Sequence, residues 1–412
     1  MPVRDMKIES FQPIASDERI AALDVVRGFA LLGILMMNIK AFVGLPVAGA
    51  PGLDPALAGA DRWTDALVYV LVQGKFYTLF SLLFGMGFAV MAERAAQAGR
   101  RFAGFYARRT LGLLVLGLLH ALLVWSGDVL VTYALLAMPL LVFRRLPTAW
   151  LPPTAVFIYL CTPAFLMVDG AMSSLMQANP ATAPEVHQLL ARAAQHTAEL
   201  VQAQRSAFGH GSYAQAVLQR LDDLGEMLHG LIVNGPTIFG MFLLGTWFVR
   251  AGVIQAPHRF PRLFGALRWV AWPLGLAIML CSFVLMPTLD PARLDLRWAA
   301  ALALSLVAGL LMCLGYLGWV VHMRRALAWL APAGRMALSN YVLQSLLCTW
   351  LFYGYGMGYF EQLPRAWQPL FALALFLLQV AISHYWLRRF RFGPLEWVWR
   401  ALTYWRWPPL RR

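Results

Sequence analysis

The chain has 412 residues, 60% of them hydrophobic and only 13% charged, a composition that excludes an ordinary soluble domain. Its apolar runs of about 20 residues match a hydrocarbon core of roughly 30 Å, so lipid is the expected solvent and bilayer the expected partner. The net charge of +14 would suit nucleic acid, but the basic residues gather at the ends of apolar runs, which points to membrane topology instead.

The first residues, "MPVRDMKIESFQPIASDER", lack the short apolar core and small-residue cleavage site of a removable leader, so the first span reads as an uncleaved anchor. Apolar windows bounded by charge or turn signals then predict about ten spans, near 22–42, 66–91, 109–126, 128–143, 150–168, 231–249, 269–287, 298–321, 336–356 and 367–387. The expected class is an all-α, polytopic helical bundle.

Span one carries "LDVVRGFALLGILMMNIK". Asp24 and Arg27 are three apart on one helix face, and Asn38 continues that stripe toward the far end. An arginine in a membrane helix costs about 2.5–3.5 kcal/mol on insertion scales, so it normally faces a bundle interior and finds a partner. Two readings stay open: a structural ion pair at the cytoplasmic interface, or one side of a polar cavity.

Span two contains "VQGKFYTLFSLLFGMGF", with Lys75 far from either end of the span. Span three contains "GLLHALLVWSGD", with His120 in an apolar run and Asp128 eight residues on, at the tight turn into span four. Lys75, His120, Asp128 and Asn38 all fall toward the outer half of their spans, a shared depth that predicts a common cavity. Beyond span five, residues 169–229 include "APEVHQLLARAAQHTAELVQAQ" and "SYAQAVLQRLDDLGEMLHG", two amphipathic helices that form either a cap on the bundle or a lid over an outward site. His187, His196, His210 and His229 lie here without metal-ligand spacing, and Cys161, Cys281, Cys313 and Cys348 are scattered singly as small hydrophobes, so no metal is expected.

Span nine opens with "GRMALSNYVLQS", setting Arg335, Asn340 and Gln344 in its first turns. The chain closes on "FGPLEWVWRALTYWRWPPLRR", whose tryptophans interleaved with arginines suit an interfacial helix on the inner leaflet, with Glu396 spaced to pair with Arg400. With the N-terminus inside, one face receives Arg4, Lys7, Arg19, Arg94, Arg100, Arg101, Arg108, Arg109, Arg144, Arg145, Arg250, Arg259, Arg262, Arg268, Arg324, Arg325, Arg335 and the basic tail; the other receives few, among them Lys40, Arg293 and Arg365. Both termini are therefore expected in the cytoplasm. The chain divides into a first membrane bundle (1–168), an extracytoplasmic amphipathic segment (169–229), a second bundle (230–392) and an interfacial tail (393–412).

The chemistry open to such a cavity follows from its residue types. His120 is the candidate base, since an imidazole pKa near 6.5 lets it take and return a proton at neutral pH, and Asp128 would orient it if the hairpin turns back far enough. Lys75 would stabilise an oxyanion or bind a carboxylate. The chain carries no serine nucleophile motif, phosphate loop or zinc signature, so acyl transfer through a histidine base fits best.

The blocks "LDVVRGFALLGILMMNI", "KFYTLFSLLFGMG", "GLLHALLVWSGDVLVTYA", "GRMALSNYVLQSLLCTWLFY" and "FRFGPLEWVWRALTYW" closely resemble, in order and over nearly the whole chain, the YeiB family of bacterial multi-pass membrane proteins. That family's C-terminal half is a domain of unknown function, and the resemblance implies a helical bundle in the bacterial cytoplasmic membrane. The Asp-x-x-Arg-Gly start of span one also resembles the heparan-glucosaminide acetyltransferase relatives, which move an acyl group from cytoplasmic coenzyme A to an acceptor across the membrane with an embedded histidine. This chain has no histidine in span one, so His120 stands as its substitute. The reading that follows is a transmembrane acyltransferase taking acyl-coenzyme A as donor and a small-molecule or glycan acceptor. Asp24, Arg27, Asn38, Arg335, Asn340 and Gln344 would bind donor or substrate, and His120, Asp128 and Lys75 would carry the chemistry. The alternative is a small-molecule transporter whose polar stripe lines the pathway, for which the sequence shows no internal repeat.

Overall fold

The computed structural model describes residues 20–46, 52–99, 102–288 and 294–412. The anchor reading of the first residues and the topological assignments of Arg4, Lys7, Arg19, Arg100, Arg101 and Arg293 lie outside them. Among the described residues the chain is a bundle of α-helices, and eight helical stretches are long and apolar enough to cross a membrane. The protein is therefore a polytopic helical bundle of the multi-pass kind.

Chain order explains where ten expected spans become eight long ones. Helix α1 (Ala21–Val43) spans as expected. Span two is interrupted: α2 (Gly59–Leu71) and α3 (Lys75–Gln97) are separated by a turn in which Gly74 has φ of 82°, a left-handed conformation that glycine adopts without a Cβ penalty. The break lies at mid-depth, because Phe76 packs against Gly33, halfway along α1, where any Cβ would collide with its ring. After α4 (Phe102–Leu123), the fourth expected span is two short helices, α5 (Leu130–Ala137) and α6 (Leu140–Phe143). They are parted at Pro139, which lacks an N–H for the ladder.

Helix α7 (Leu151–Ala178) runs well past its expected end. It leads to the amphipathic α8 (Ala183–Gln204) and a π-helical turn, Arg205–His210. The second amphipathic stretch is no separate helix. It is the outer end of α9 (Tyr213–Arg250), capped by Ser212 and Gln215 and continuous into the sixth span. Small residues let α9 approach α3 closely: a Cβ on Gly85 would strike the carbonyl of Phe242, and one on Gly245 that of Leu82.

The later helices are α10 (Pro261–Ala266), which passes through a π-turn into α11 (Trp272–Leu285), then α12 (Leu296–His322) and α13 (Ala331–Arg335). Helix α14 (Ala337–Phe352) has 16 residues, about 24 Å, too short to cross unaided. Helix α15 (Gln368–Arg389) spans, and α16 (Pro394–Tyr404) closes the chain. The tail helix is bound to α4, with Trp399 Nε1 donating to the Arg109 carbonyl at 2.9 Å and the Arg109 guanidinium 3.6 Å above the Trp399 ring. Glu396 turns inward from α16, where its carboxylate accepts the Leu338 and Ser339 amides at 2.8 and 3.1 Å. It thus serves as a negative cap on the N-terminus of α14.

Candidate functional site

The first turns of α1, the inner halves of α3 and α4, α13 and the tail helix surround a cavity of about 470 Å³. Arg27, Arg94, Arg109, Arg335, Arg391 and Arg400 line it, accompanied by the carboxylates of Asp24, Glu93 and Glu396. The guanidinium-rich end of the cavity is the one at which the arginine distribution would set the cytoplasm. Further in, the wall becomes apolar: Ile34, Leu83, Phe84, Leu113 and Leu130 replace the charges, with Tyr133 and Tyr341 beside them. Ile34 is seven residues beyond Arg27 on α1, so the cavity reaches about 10 Å deeper than its guanidinium-bearing rim. Cationic mouth and apolar depth together suit an anionic head attached to a thin, less polar arm.

Asp24 and Arg27 form the ion pair their spacing predicts, at 3.1 Å. The Arg27 side chain keeps 31% of its exposure and borders the cavity, so the pair is a part of the wall, not a sealed strut.

His120 and Asp128 meet where the hairpin turns. Nδ1 of His120 lies 2.8 Å from Asp128 Oδ1, and the other carboxylate oxygen accepts the Val131 amide at 2.7 Å. Gly117 makes this possible, since a Cβ there would strike the Val131 backbone. Both side chains are buried. A carboxylate on Nδ1 favours the tautomer that carries its proton there, leaving Nε2 with a free lone pair, and Nε2 is a buried atom without a hydrogen-bond partner. The His120 ring sits 5.2 Å from that of Tyr341, which also lines the cavity. Val129, next to Asp128, also lines it and donates its amide to the Tyr341 hydroxyl. Tyr341 therefore belongs both to the wall of the cavity and to the surroundings of the dyad.

Lys75 does not join them. As the first residue of α3 it folds back on the last turn of α2, donating to the Tyr69 carbonyl at 2.8 Å and approaching Met279 Sδ at 3.3 Å. That carbonyl is one of the four a helix C-terminus leaves unsatisfied, so the break that places Lys75 at mid-depth also supplies its partner. The common cavity predicted for Lys75, Asn38 and the dyad is not formed: Asn38 is half-buried on the outer part of α1, away from the lining.

Arg335 reaches the mouth, but Asn340 and Gln344 turn the other way. Asn340 Nδ2 donates to Ser383 Oγ at 3.0 Å, Gln344 donates to Gln379 at 2.8 Å, and Gln379 returns a bond to the Asn340 carbonyl. They fasten α14 to α15. Cys313 and Cys348 are buried, as expected of small hydrophobes, whereas Cys161 and Cys281 lie exposed on the outside of the bundle. Among the described residues no group of histidine, cysteine and carboxylate could hold a metal.

Two features escaped the sequence reading. Arg109, read as topology, lines the cavity with Trp399 stacked on it. At the outer side, Asp65 accepts Lys40 at 3.2 Å and Arg365 at 2.8 Å, tying α1 and α2 to the start of α15. The Asp65–Arg365 pair joins residues 300 apart in sequence, and no local spacing signals it.

Residues 248–406 match a family described as a protein of unknown function, DUF418. The chain is 33% identical to the uncharacterized protein YxaH of Bacillus subtilis, over 98% of this chain and 99% of that one. It is 35% identical to the uncharacterized protein YeiB of Escherichia coli, over 94% and 96% respectively. An uncharacterized 39.9 kDa protein encoded in the amylase 3' region of Bacillus acidopullulyticus is 28% identical over 95% of this chain and 96% of its own. No solved structure matches.

Proposed function

The chain belongs to the YeiB family, and from the cavity and the dyad we propose that it is a transmembrane acyltransferase of the bacterial cytoplasmic membrane, drawing an acyl group from a cytoplasmic coenzyme A thioester. One observation carries the reading: an arginine-lined cavity shares Tyr341 in its wall with a buried histidine–aspartate pair. Arg27, Arg109 and Arg335 would hold the donor's phosphates, since guanidinium groups match phosphate oxygens in geometry as well as charge. The arm carrying the thioester would lie along Leu83, Leu113 and Leu130, with the acyl carbon brought to His120 as Tyr341 turns aside. His120 Nε2 takes the proton of an acceptor hydroxyl as its oxygen attacks the thioester carbon. The carbon–sulfur bond then breaks, and the imidazolium returns the proton to the departing thiolate. Asp128 holds the tautomer and stabilises the imidazolium between those steps.

A specific observation keeps a transporter as the second reading: the mid-depth break between α2 and α3, with a buried Lys75 at its edge, is the kind of discontinuity around which transport sites are built. The two readings part on the donor. Titrating purified protein with acetyl-coenzyme A should give saturable binding that Arg109→Gln and Arg335→Gln each weaken about 10- to 100-fold, the size expected for one charge-assisted bond. Rising salt should weaken it further. Binding indifferent to both substitutions would remove the donor from this cavity.

A further inference from the structure

Next to the donor cavity lies another, of about 610 Å³, that the proposed chemistry does not use. It sits among the C-terminal ends of α3, α6 and α9 and the first turn of α4. Glu93 lines both cavities. Phe88 and Phe102, in the wall of the second, pack on the ring of Tyr106 at 4.9 and 5.2 Å, and Tyr106 belongs to the wall of the first. The space itself comes from small side chains at helical spacing on α3, where Ala89, Ala92 and Ala96 face it.

Three guanidinium groups line this cavity, those of Arg144, Arg145 and Arg250, against the single carboxylate of Glu93. Arg250 is already engaged. Its Nη1 donates to the Leu146 carbonyl at 2.8 Å and reaches that of Arg144 at 3.4 Å, and its charge acts on Glu93. These bonds hold the turn that follows α6 against the end of α9, which is why Arg144 and Arg145 stand at the cavity. Both are exposed, and among the described residues neither side chain makes an ion pair or a hydrogen bond. With Glu93 set against Arg250, the cavity keeps two positive charges.

The same segment fixes the depth. Val142, two residues before Arg144, is 75% exposed, and Trp150, five residues after Arg145, is 63% exposed. Bare apolar side chains on both flanks of a membrane bundle face lipid, and tryptophan favours the level of the headgroups. The two arginines between them therefore lie at headgroup depth, at the end of the bundle where the arginine distribution would set the cytoplasm. Beyond the charges the wall is apolar, with Phe88, Ala89 and Ala92. A small soluble anion would use only the charges, whereas an amphiphile matches both parts. Guanidinium groups fit phosphate oxygens in geometry as well as charge, and basic pockets between membrane helices on the cytoplasmic side suit anionic headgroups.

We propose that this cavity binds an anionic phospholipid of the inner leaflet, with its phosphate on Arg144 and Arg145 and the glycerol end of its chains against Phe88 and Ala92. The site is independent of the acyltransferase reading.

The test uses the full chain purified in detergent and stripped of lipid. The probes are dioctanoyl-phosphatidylglycerol, dioctanoyl-phosphatidylcholine, glycerol 3-phosphate and inorganic phosphate, and the readout is the melting temperature across a titration of each. Saturating phosphatidylglycerol should raise Tm by about 2–5 °C through mass action, and the other three should not. The double variant Arg144→Gln, Arg145→Gln removes only exposed side chains, and in it the phosphatidylglycerol midpoint should weaken about 10- to 100-fold. Arg324→Gln with Arg325→Gln, an exposed basic pair outside this cavity's lining, is the matched control and should keep the wild-type response. Stabilisation by acetyl-coenzyme A should be the same in all three proteins. An equal shift from phosphatidylcholine, or a phosphatidylglycerol shift that survives in the double variant, would overturn the proposal. So would an equal shift from glycerol 3-phosphate or inorganic phosphate, which would make this a site for a soluble anion. Loss of the acetyl-coenzyme A response in the double variant would give these arginines to the donor instead. The lipid outcomes leave acyl transfer standing.

Discussion

At the scale of single residues the proposed chemistry turns on His120 and Asp128, eight apart in sequence and 2.8 Å apart in space. Asp128→Asn preserves the shape of the turn, but an amide cannot enforce the Nδ1-protonated tautomer. Acyl transfer should fall by about 10²- to 10⁴-fold with donor binding unchanged, and a loss confined to KM would argue against the assigned role. This pair was legible because both residues lie on one short hairpin, where helix geometry fixes their relation. Lys75 was not: its depth could be read, but a single residue in the left-handed region, Gly74, redirects it to the end of α2. Asn340 and Gln344 were visible as a polar stripe, yet the sequence does not say whether a stripe faces a cavity or a neighbouring helix, and Gln379 and Ser383 decide that from another helix.

At the scale of elements the packing of α3 on α9 is the most exacting contact. Gly85→Ala must push apart two backbones, because its Cβ would overlap the Phe242 carbonyl. A cost of about 1–3 kcal/mol is expected, seen as a clear drop in melting temperature. Gly104→Ala, where a Cβ meets nothing within 4 Å, is the matched control and should leave the melt nearly unchanged. Hydropathy found the long spans because length and apolarity are written locally. It overcounted where Pro139 divides one span, and where α14 stops at 16 residues. The continuity of α9 was hidden because its surface changes from amphipathic to apolar along one uninterrupted helix.

At the scale of the whole molecule, the tail helix closes the cavity and couples it to pH. Burial pushes the Glu396 carboxyl above its ordinary value of 4.5, a shift only partly offset by the bonds it accepts from Ser339 and Leu338. The folded protein therefore holds this proton more tightly than the unfolded chain. The stability it lends is fully present below pH 4.5 and is lost as pH rises through the folded value. Melting temperature should fall with rising pH above that point, and Glu396→Gln should flatten the slope; an identical slope in both proteins would show that other groups set it. Because Glu396 caps α14 and lines the cavity, acidification should also tighten the joint between tail and bundle beside the donor mouth.

The most direct measurement of the central claim is coenzyme A release from labelled acetyl-coenzyme A by purified protein, wild type beside His120→Gln, with folding checked by thermal melt. Acyl transfer through His120 predicts thioester cleavage by the wild type and its loss by at least about 10²-fold in a variant that still melts normally and still binds the donor. Cleavage at an equal rate in both proteins, or none in the wild type across several acyl lengths while the donor binds, would contradict it.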